Sequence, residues 1–326
     1  MGLVRIGISG WTYEPWRGNF YPDGLPQRLE LAYATRRFST LEINGTFYSL
    51  QRPSSFRDWY VQTPAGFVFS IKGSRYITHL RRLKDVRTPL ANFLASGLLE
   101  LREKLGPILW QFPPTMKLDL RRFRAFLEML PRDSRELARL GAEYDSRLKE
   151  PPALEFDANR PVRHAIEFRH ESFLTPAFVE LLREFNVSIV VADAASKFPA
   201  SEEVTADFVY IRLHGSRKLY VSGYTPRELD GWAGKIRGWS KRGDVYVYFD
   251  NTDIKLRAPV DARSLARRLD VLVPGTPAQL VRALTKDVPA GRDAPRHSGR
   301  TVPESPAVEV SPPFISTPLR TRARRR

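Results

Sequence analysis

Eight short runs rich in β-branched and aromatic residues recur along the chain, at 5–9, 40–43, 67–71, 108–112, 164–168, 188–192, 208–213 and 245–249. Several are apolar at nearly every position rather than at alternate ones, which is the pattern of strands covered on both faces. Between them the spacing changes to three and four: Leu90, Phe93, Leu94, Gly97, Leu98, Leu101 and Leu105 form one stripe, and Leu229, Trp232, Ile236 and Trp239 another. Thr-Pro pairs at Thr88, Thr175 and Thr225 predict helix starts, with threonine as the cap and proline in the first helical position; Glu228 completes a capping box with Thr225. Strands alternating with crossover helices predict an α/β architecture, a (β/α)8 TIM barrel with parallel strands.

Polar and ionisable residues follow nearly every predicted strand: Glu42 and Asn44, Lys72, Gln111, Glu167 with Arg169 and His170, Asp193, Arg212 with His214, and Asp250 with Asn251. In this fold the site lies on the C-terminal face, so these residues are expected to gather at one mouth. The 326 residues, 42% of them hydrophobic, suffice for one barrel of roughly 250 residues with additions. The additions are a segment at 131–161 after the fourth helix, with a helix-like stretch at 134–148, and a C-terminal segment at 286–326. The first is expected outside the barrel, either as surface decoration or covering one rim of the mouth.

Cysteine is absent, which excludes disulfides, thiolate nucleophiles, iron–sulfur clusters and cysteine-held zinc. No apolar run approaches the length of a membrane span and no signal-peptide pattern precedes the first strand, so a cytoplasmic protein is expected. Net charge is +16; from Lys286 onward there are nine Lys/Arg against four Asp/Glu, leaving 43 against 32 before it. The folded part is therefore basic as well. The segment 286–326, rich in Pro, Ser, Thr and Arg, is expected to be a disordered basic tail, either a contact for polyanions or a solvated extension.

Seven motifs in order carry a resemblance: Gly7-Ile8-Ser9-Gly10-Trp11-Thr12-Tyr13 with Trp16, Gly18 and Phe20-Tyr21-Pro22; Leu41-Glu42-Ile43-Asn44-Gly45-Thr46-Phe47-Tyr48; Phe69-Ser70-Ile71-Lys72 with Ile77-Thr78-His79; Leu109-Trp110-Gln111-Phe112-Pro113-Pro114; Ile166-Glu167-Phe168-Arg169-His170; Arg212-Leu213-His214-Gly215; and Tyr248-Phe249-Asp250-Asn251-Thr252. Over roughly residues 4–270 the chain resembles the YecE-like family, domain of unknown function 72. The resemblance implies a TIM barrel without an established activity, and a structural similarity to endonuclease IV that suggests nucleic-acid binding. Two positions depart from the family pattern. Asp250-Asn251 stands where Asn-Asn is usual, and Phe173 where Trp is usual; the first adds a carboxylate to the mouth.

Several chemistries fit these residues. Glu42 and Glu167, on opposite sides of a barrel, are candidates for an acid and base pair. The competing reading pairs Glu167 with Arg169 or Arg212, and Glu42 with Lys72, as charge neutralisation. A metal held by Glu167, Asp193, His214 and Asp250 is opposed by the cations Lys72, Arg169 and Arg212 on the same face, and no metal or other cofactor is expected. A phosphate could sit on Arg212 and the His214-Gly215-Ser216-Arg217 turn, or that glycine could simply serve a tight turn. Lone His79 reads as a loop cap rather than a ligand. Trp11 and Tyr13 are expected to stack on a ligand, whereas Trp16, Phe20 and Tyr21 are expected to plug the first loop.

The function expected is therefore binding of an anionic, phosphate-bearing or nucleic-acid-derived ligand, with hydrolase or lyase chemistry by Glu42 and Glu167. Trp11, Tyr13, Asn44, Lys72, Gln111, Arg169, His170, Asp193, Arg212, His214, Asp250 and Asn251 would hold the substrate. The alternatives are nucleic-acid binding without turnover and a divalent-metal-dependent endonuclease-like or isomerase-like enzyme.

Overall fold

The computed structural model describes residues 1–251 and 256–271, so the expected tail at 286–326 lies outside the described residues. Eight strands, β1 (Val4–Ser9), β2 (Thr40–Ile43), β3 (Val68–Lys72), β4 (Leu105–Gln111), β5 (His164–Glu167), β6 (Ser188–Asp193), β7 (Phe208–Leu213) and β8 (Asp244–Phe249), close in sequence order into one barrel. Every neighbouring pair is parallel, and β8 returns to β1 through a register that sets Gly7 against Tyr248. This is the (β/α)8 barrel that the alternation of strand and helix patterns predicts.

The helices are α1 (Glu30–Ala34), α2 (Gly45–Tyr48), α3 (Pro53–Gln62), α4 (Arg87–Ala95), α5 (Leu120–Met129), α6 (Ser134–Gly141), α7 (Pro176–Glu184), α8 (Pro226–Ser240) and α9 (Arg257–Arg268). Thr175 and Thr225 cap α7 and α8 as expected, with Glu228 closing the box on Thr225. Thr88 does not cap: α4 begins one residue earlier, at Arg87, and its cap position Val86 has no side-chain acceptor. Nor does the apolar stripe from Leu90 to Leu105 form one helix. Gly97, at φ 128°, breaks it, because a side chain there would meet the Phe56 ring and the Pro53 backbone.

Alternate strand residues face two layers. Ile6, Ile8, Leu41, Ile43, Phe69, Ile71, Trp110, Ile166, Ile211 and Val247 point outward into the contact with the helices. Val68, Leu109, Ala165, Val190, Phe208, Tyr210, Tyr246 and Tyr248 fill the interior. That interior is partly polar: the Tyr248 hydroxyl lies 2.9 Å from Thr40 Oγ1, and the Tyr210 hydroxyl 2.6 Å from Ser70 Oγ. A column of hydroxyls thus rises inside the barrel toward the C-terminal mouth.

The segment 131–161 leaves the end of α5 and returns at His164, whose Nε2 is 2.8 Å from the Pro131 carbonyl. Its contacts run along the outside of the helix layer: Arg87 with Glu143, Asn92 with Asp145, Arg52 with Glu150, and the Ala153 amide to the Ala95 carbonyl. It brackets α3 and α4 rather than covering the mouth.

Gly7 is where the barrel wall is tightest, since a Cβ there would land on the Thr40 carbonyl of the neighbouring strand. Gly7→Ala is expected to cost about 3 kcal/mol or more through forced strand separation, read as a lowered unfolding midpoint in denaturant. An unchanged midpoint would contradict this packing.

Candidate functional site

Strand β7 alternates inward through Phe208, Tyr210 and Arg212, and this places a guanidinium on the barrel axis at the top of the hydroxyl column. Arg212 is fully buried. Its Nε and Nη2 reach the two oxygens of Glu42 at 3.0 and 2.8 Å, its Nη1 reaches Glu167 at 2.6 Å, and Nη2 also reaches Asp250 at 2.9 Å. Three carboxylates from β2, β5 and the end of β8 therefore converge on one cation. An isolated buried charge would be prohibitive, and the fork of guanidinium donors answers several oxygens at once.

Glu42 is saturated from every side. Besides Arg212 it accepts from Ser9 Oγ at 2.5 Å and from the Tyr210 hydroxyl at 2.8 Å, and it is fully buried. Glu167 accepts from Gln111 Nε2 at 2.9 Å and from Arg169 Nε at 3.0 Å in addition to Arg212. Burial alone would raise the Glu167 carboxyl, but Arg212 and Arg169 outweigh it and hold it well below the usual carboxylate range. Asp250 is likewise held low, burial being overcome by Arg212 and His214. The two glutamates do not face each other across an open mouth, because Arg212 stands between them. The neutralisation reading describes this geometry, with one change of partner: Glu42 takes Arg212, not Lys72.

Lys72, inward-facing at the end of β3, is left over. Its ammonium sits 4.5 Å from the centre of the Phe47 ring and has no hydrogen-bond or ion-pair partner among the described residues. Burial and the neighbouring Arg212 lower its pKa to about 8. His79 packs edge-on against the same Phe47 ring at 5.1 Å and is pushed down to about 4 by burial, with Lys72 and Arg169 adding to the effect. At the mouth the buried Oδ1 of Asn44 has no hydrogen-bond partner among the described residues, and His214 Nε2, which makes no hydrogen bond there either, lies 3.8 Å from Glu167 Oε1. The other His214 nitrogen lies 3.0 Å from Asp250, near enough for an ion pair though not aligned as a hydrogen bond. Arg169, 13% exposed, donates from Nη2 to the Tyr220 hydroxyl at 3.1 Å and lies over Phe198.

The remaining expected site residues serve the frame. Trp11 packs against Trp59 and Phe69 in the layer between barrel and helices, and Tyr13 stacks on Trp16 while its hydroxyl donates to the Ser9 carbonyl, so neither ring presents a free face to the mouth. Trp16, Phe20 and Tyr21 form the plug. The His170 imidazole accepts from the Ser172 amide and caps a 3-10 turn. Asp193 pairs with the Tyr224 hydroxyl, which itself accepts from the Gly215 amide. Asn251 donates to Ser222 and Asp261 and ties β8 to α9.

The turn after β7 cannot cradle a phosphate as it stands. The amides of Gly215, Arg217 and Lys218 are taken by Tyr224 and Ser222, and Gly215, at φ 110°, is required because a side chain would strike the Lys218 and Ser222 carbonyls. Among the described residues no group of three or more His, Asp or Glu is arranged to hold a metal ion; the guanidinium occupies the point where the carboxylates meet. Two surface clefts, of about 570 and 350 Å³, lie on the helix layer beside Arg57 and Phe156 and beside Tyr33 and Arg263. Neither contains a mouth residue, and within the charged cluster Arg212, Glu42 and Glu167 are buried while Asp250 keeps 14% of its side chain exposed.

Sequence reasoning missed Ser9 and Tyr210, which complete the shell of Glu42. Their signal was strand parity: Tyr210 shares its face with Arg212, and Ser9 stands opposite Glu42 in the β1–β2 register. His79 belongs to the mouth, its Nδ1 2.8 Å from Thr78 Oγ1.

A family model described as "Protein of unknown function DUF72" matches residues 5–282. The UPF0759 protein YunF of Bacillus subtilis is 20% identical over 281 residues, covering 76% of this chain and 89% of that protein. The UPF0759 protein YecE of Escherichia coli K12 is 24% identical over 258 residues, covering 77% and 88%. Among solved structures, a DUF72 family protein (TM1631) of Thermotoga maritima is 27% identical with a TM-score of 0.65, covering 82% of this chain and 99% of that one. Among the described residues no helix is long and apolar enough to cross a membrane.

Arg212→Met would strand two buried carboxylates and a third, Asp250, that is 14% exposed, and a loss of about 3–5 kcal/mol is expected near neutral pH. The loss should shrink on acidification, when the carboxylates can take protons. For the wild type, the depressed Glu167 carboxyl contributes stability that is present above its unfolded value of 4.5 and is lost as pH falls toward its folded value. Denaturant titrations of wild type and Glu167→Gln across the acid range check this: the variant should lose much of the slope below pH 4.5.

Proposed function

The chain belongs to DUF72, a family of unknown function, and we propose its role from the mouth itself: it binds a small molecule carrying an anionic group, met by Lys72 and Arg169. The observation that carries this reading is Lys72. Glu42, Glu167 and Asp250 each make their ion-pair contact with Arg212 and act on Lys72 only at longer range, while the Lys72 ammonium rests on Phe47 with no carboxylate in contact among the described residues. A desolvated cation of this kind gains more from an incoming anion than a hydrated surface lysine does. Asn44 Oδ1, which has no hydrogen-bond partner among the described residues, supports a polar contact to the rest of the ligand.

In this reading Glu42 and Glu167 are fixed charges that hold Arg212, and they are not the acid and base. Hydrolase or lyase chemistry on a phosphate-bearing substrate is the finer form of the proposal. The groups that support its proton transfers are His214 Nε2 and the Lys72 amine.

Sulfate tests the reading, because its charge is constant over the relevant range. It should raise the unfolding temperature of the wild type by mass action, and Lys72→Met should abolish most of that rise. Lysine is charged below its pKa, so the rise should be full near neutral pH and fade as pH passes about 8. An equal rise in Lys72→Met would sink the proposal. The excess of Lys/Arg over Asp/Glu before residue 286 favours a second reading, nucleic-acid binding without turnover. Oligonucleotide affinity that falls steeply with salt and survives Lys72→Met would favour it.

A further inference from the structure

We infer that Lys72 captures a carbonyl group: its amine condenses with the aldehyde or ketone of a ligand whose anionic group Arg169 retains. This deepens the reading above and rests on it, since it names the ligand class, an oxo acid or a phosphorylated aldehyde or ketone.

Lys104, a buried lysine in the same chain, supplies the contrast with the half-buried Lys72. Lys104 is 4% exposed and donates to the Tyr60 carbonyl at 2.7 Å, the Thr63 carbonyl at 2.7 Å and Thr63 Oγ1 at 3.0 Å. Three acceptors satisfy its three N–H bonds, and it closes the C-terminal end of α3 as a structural ammonium. Its pKa is lowered too, so a shifted pKa alone does not separate the two lysines. Their surroundings do. Both ammonium groups lie over an aromatic ring, Lys104 over Tyr60 at 4.3 Å and Lys72 over Phe47 at 4.5 Å, but Lys72 has a guanidinium acting on it and no hydrogen-bond acceptor among the described residues.

An ammonium so placed is held as a nucleophile is held. Desolvation and a neighbouring cation both favour the neutral amine, the form that attacks carbonyl carbon. With a pKa of about 8 the free amine near neutral pH is on the order of a hundredfold more abundant than for an ordinary lysine. The amine nitrogen adds to the carbonyl carbon, and the C–N double bond replaces the C–O double bond. The carbonyl oxygen leaves as water, its two hydrogens balanced by the two lost from the amine nitrogen. No oxidant, reductant or cofactor is consumed. Arg169 joins the cluster through Glu167, to which its Nε donates at 3.0 Å while Arg212 holds the other oxygen at 2.6 Å.

Glyoxylate, the smallest molecule with both an aldehyde and a carboxylate, is the probe. The full-length protein is incubated with glyoxylate and borohydride, and the reduced adduct is located by peptide mass mapping. Lys72 should carry at least about tenfold more adduct than any other lysine. Lys72→Arg keeps the positive charge, so it should retain the sulfate-induced rise in unfolding temperature and lose the adduct. Adduct spread evenly over the lysines, or absent from Lys72 while sulfate still stabilises the protein, would overturn the carbonyl assignment and leave the anion reading standing. Absence of both responses would overturn the two together.

Discussion

One buried guanidinium organises this molecule. Arg212 lies on the axis of the closed barrel, and the free energy of keeping its charge out of water has to be offset by opposite charges held against it. Glu42, Glu167 and Asp250 come from three different strands, so their convergence depends on closure of the cylinder, and closure in turn places three negative groups that only a central cation can reconcile. Fold and cluster are thus mutually required. Either half alone would be an electrostatic liability.

This constraint reshapes what the ionisable residues can do. Two carboxylates at opposite sides of a barrel mouth look like an acid and a base until the atom between them is located. Once Arg212 is seen to bridge them, each carboxylate is a ligand of the guanidinium, and the reactive remainder of the mouth is the group the bridge does not use, Lys72. The same bridge fills the volume that a metal ion would need. The charge count also explains why Asp250 suits this chain: it gives Arg212 a third carboxylate and stands beside His214.

Much of the architecture was legible in the residues. Eight apolar runs, two Thr-Pro caps and the polar residues at the strand ends led to the barrel and to the face on which Glu42, Lys72, Glu167, Arg212, His214 and Asp250 meet. What was illegible has physical reasons. Pairing among several cations and carboxylates depends on distances of a few ångströms, and strand order alone does not give them; hence the neutralisation reading of the sequence pairs Glu42 with Lys72, whereas the structure pairs it with Arg212. Trp11 and Tyr13 read as ligand platforms because loop aromatics look alike in sequence whether they stack on a ligand or on Trp59 and Trp16. The stripe from Leu90 to Leu105 keeps helical spacing across Gly97, and only the proximity of Phe56 and Pro53 shows why the backbone must turn there.

The column of hydroxyls beneath the cluster carries a consequence for how such a protein can change over time. Tyr248 leans on Thr40, Tyr210 on Ser70 and Glu42, and Glu42 on Arg212, so these residues form a vertical chain in which each supplies what the next lacks. Swapping one tyrosine for an aliphatic residue of similar bulk would preserve packing and still withdraw a donor from a carboxylate several ångströms above. Viable substitutions along this axis must therefore arrive in compatible sets, and the barrel's inner filling should drift far more slowly, and in a more correlated way, than the hydrocarbon layer outside it.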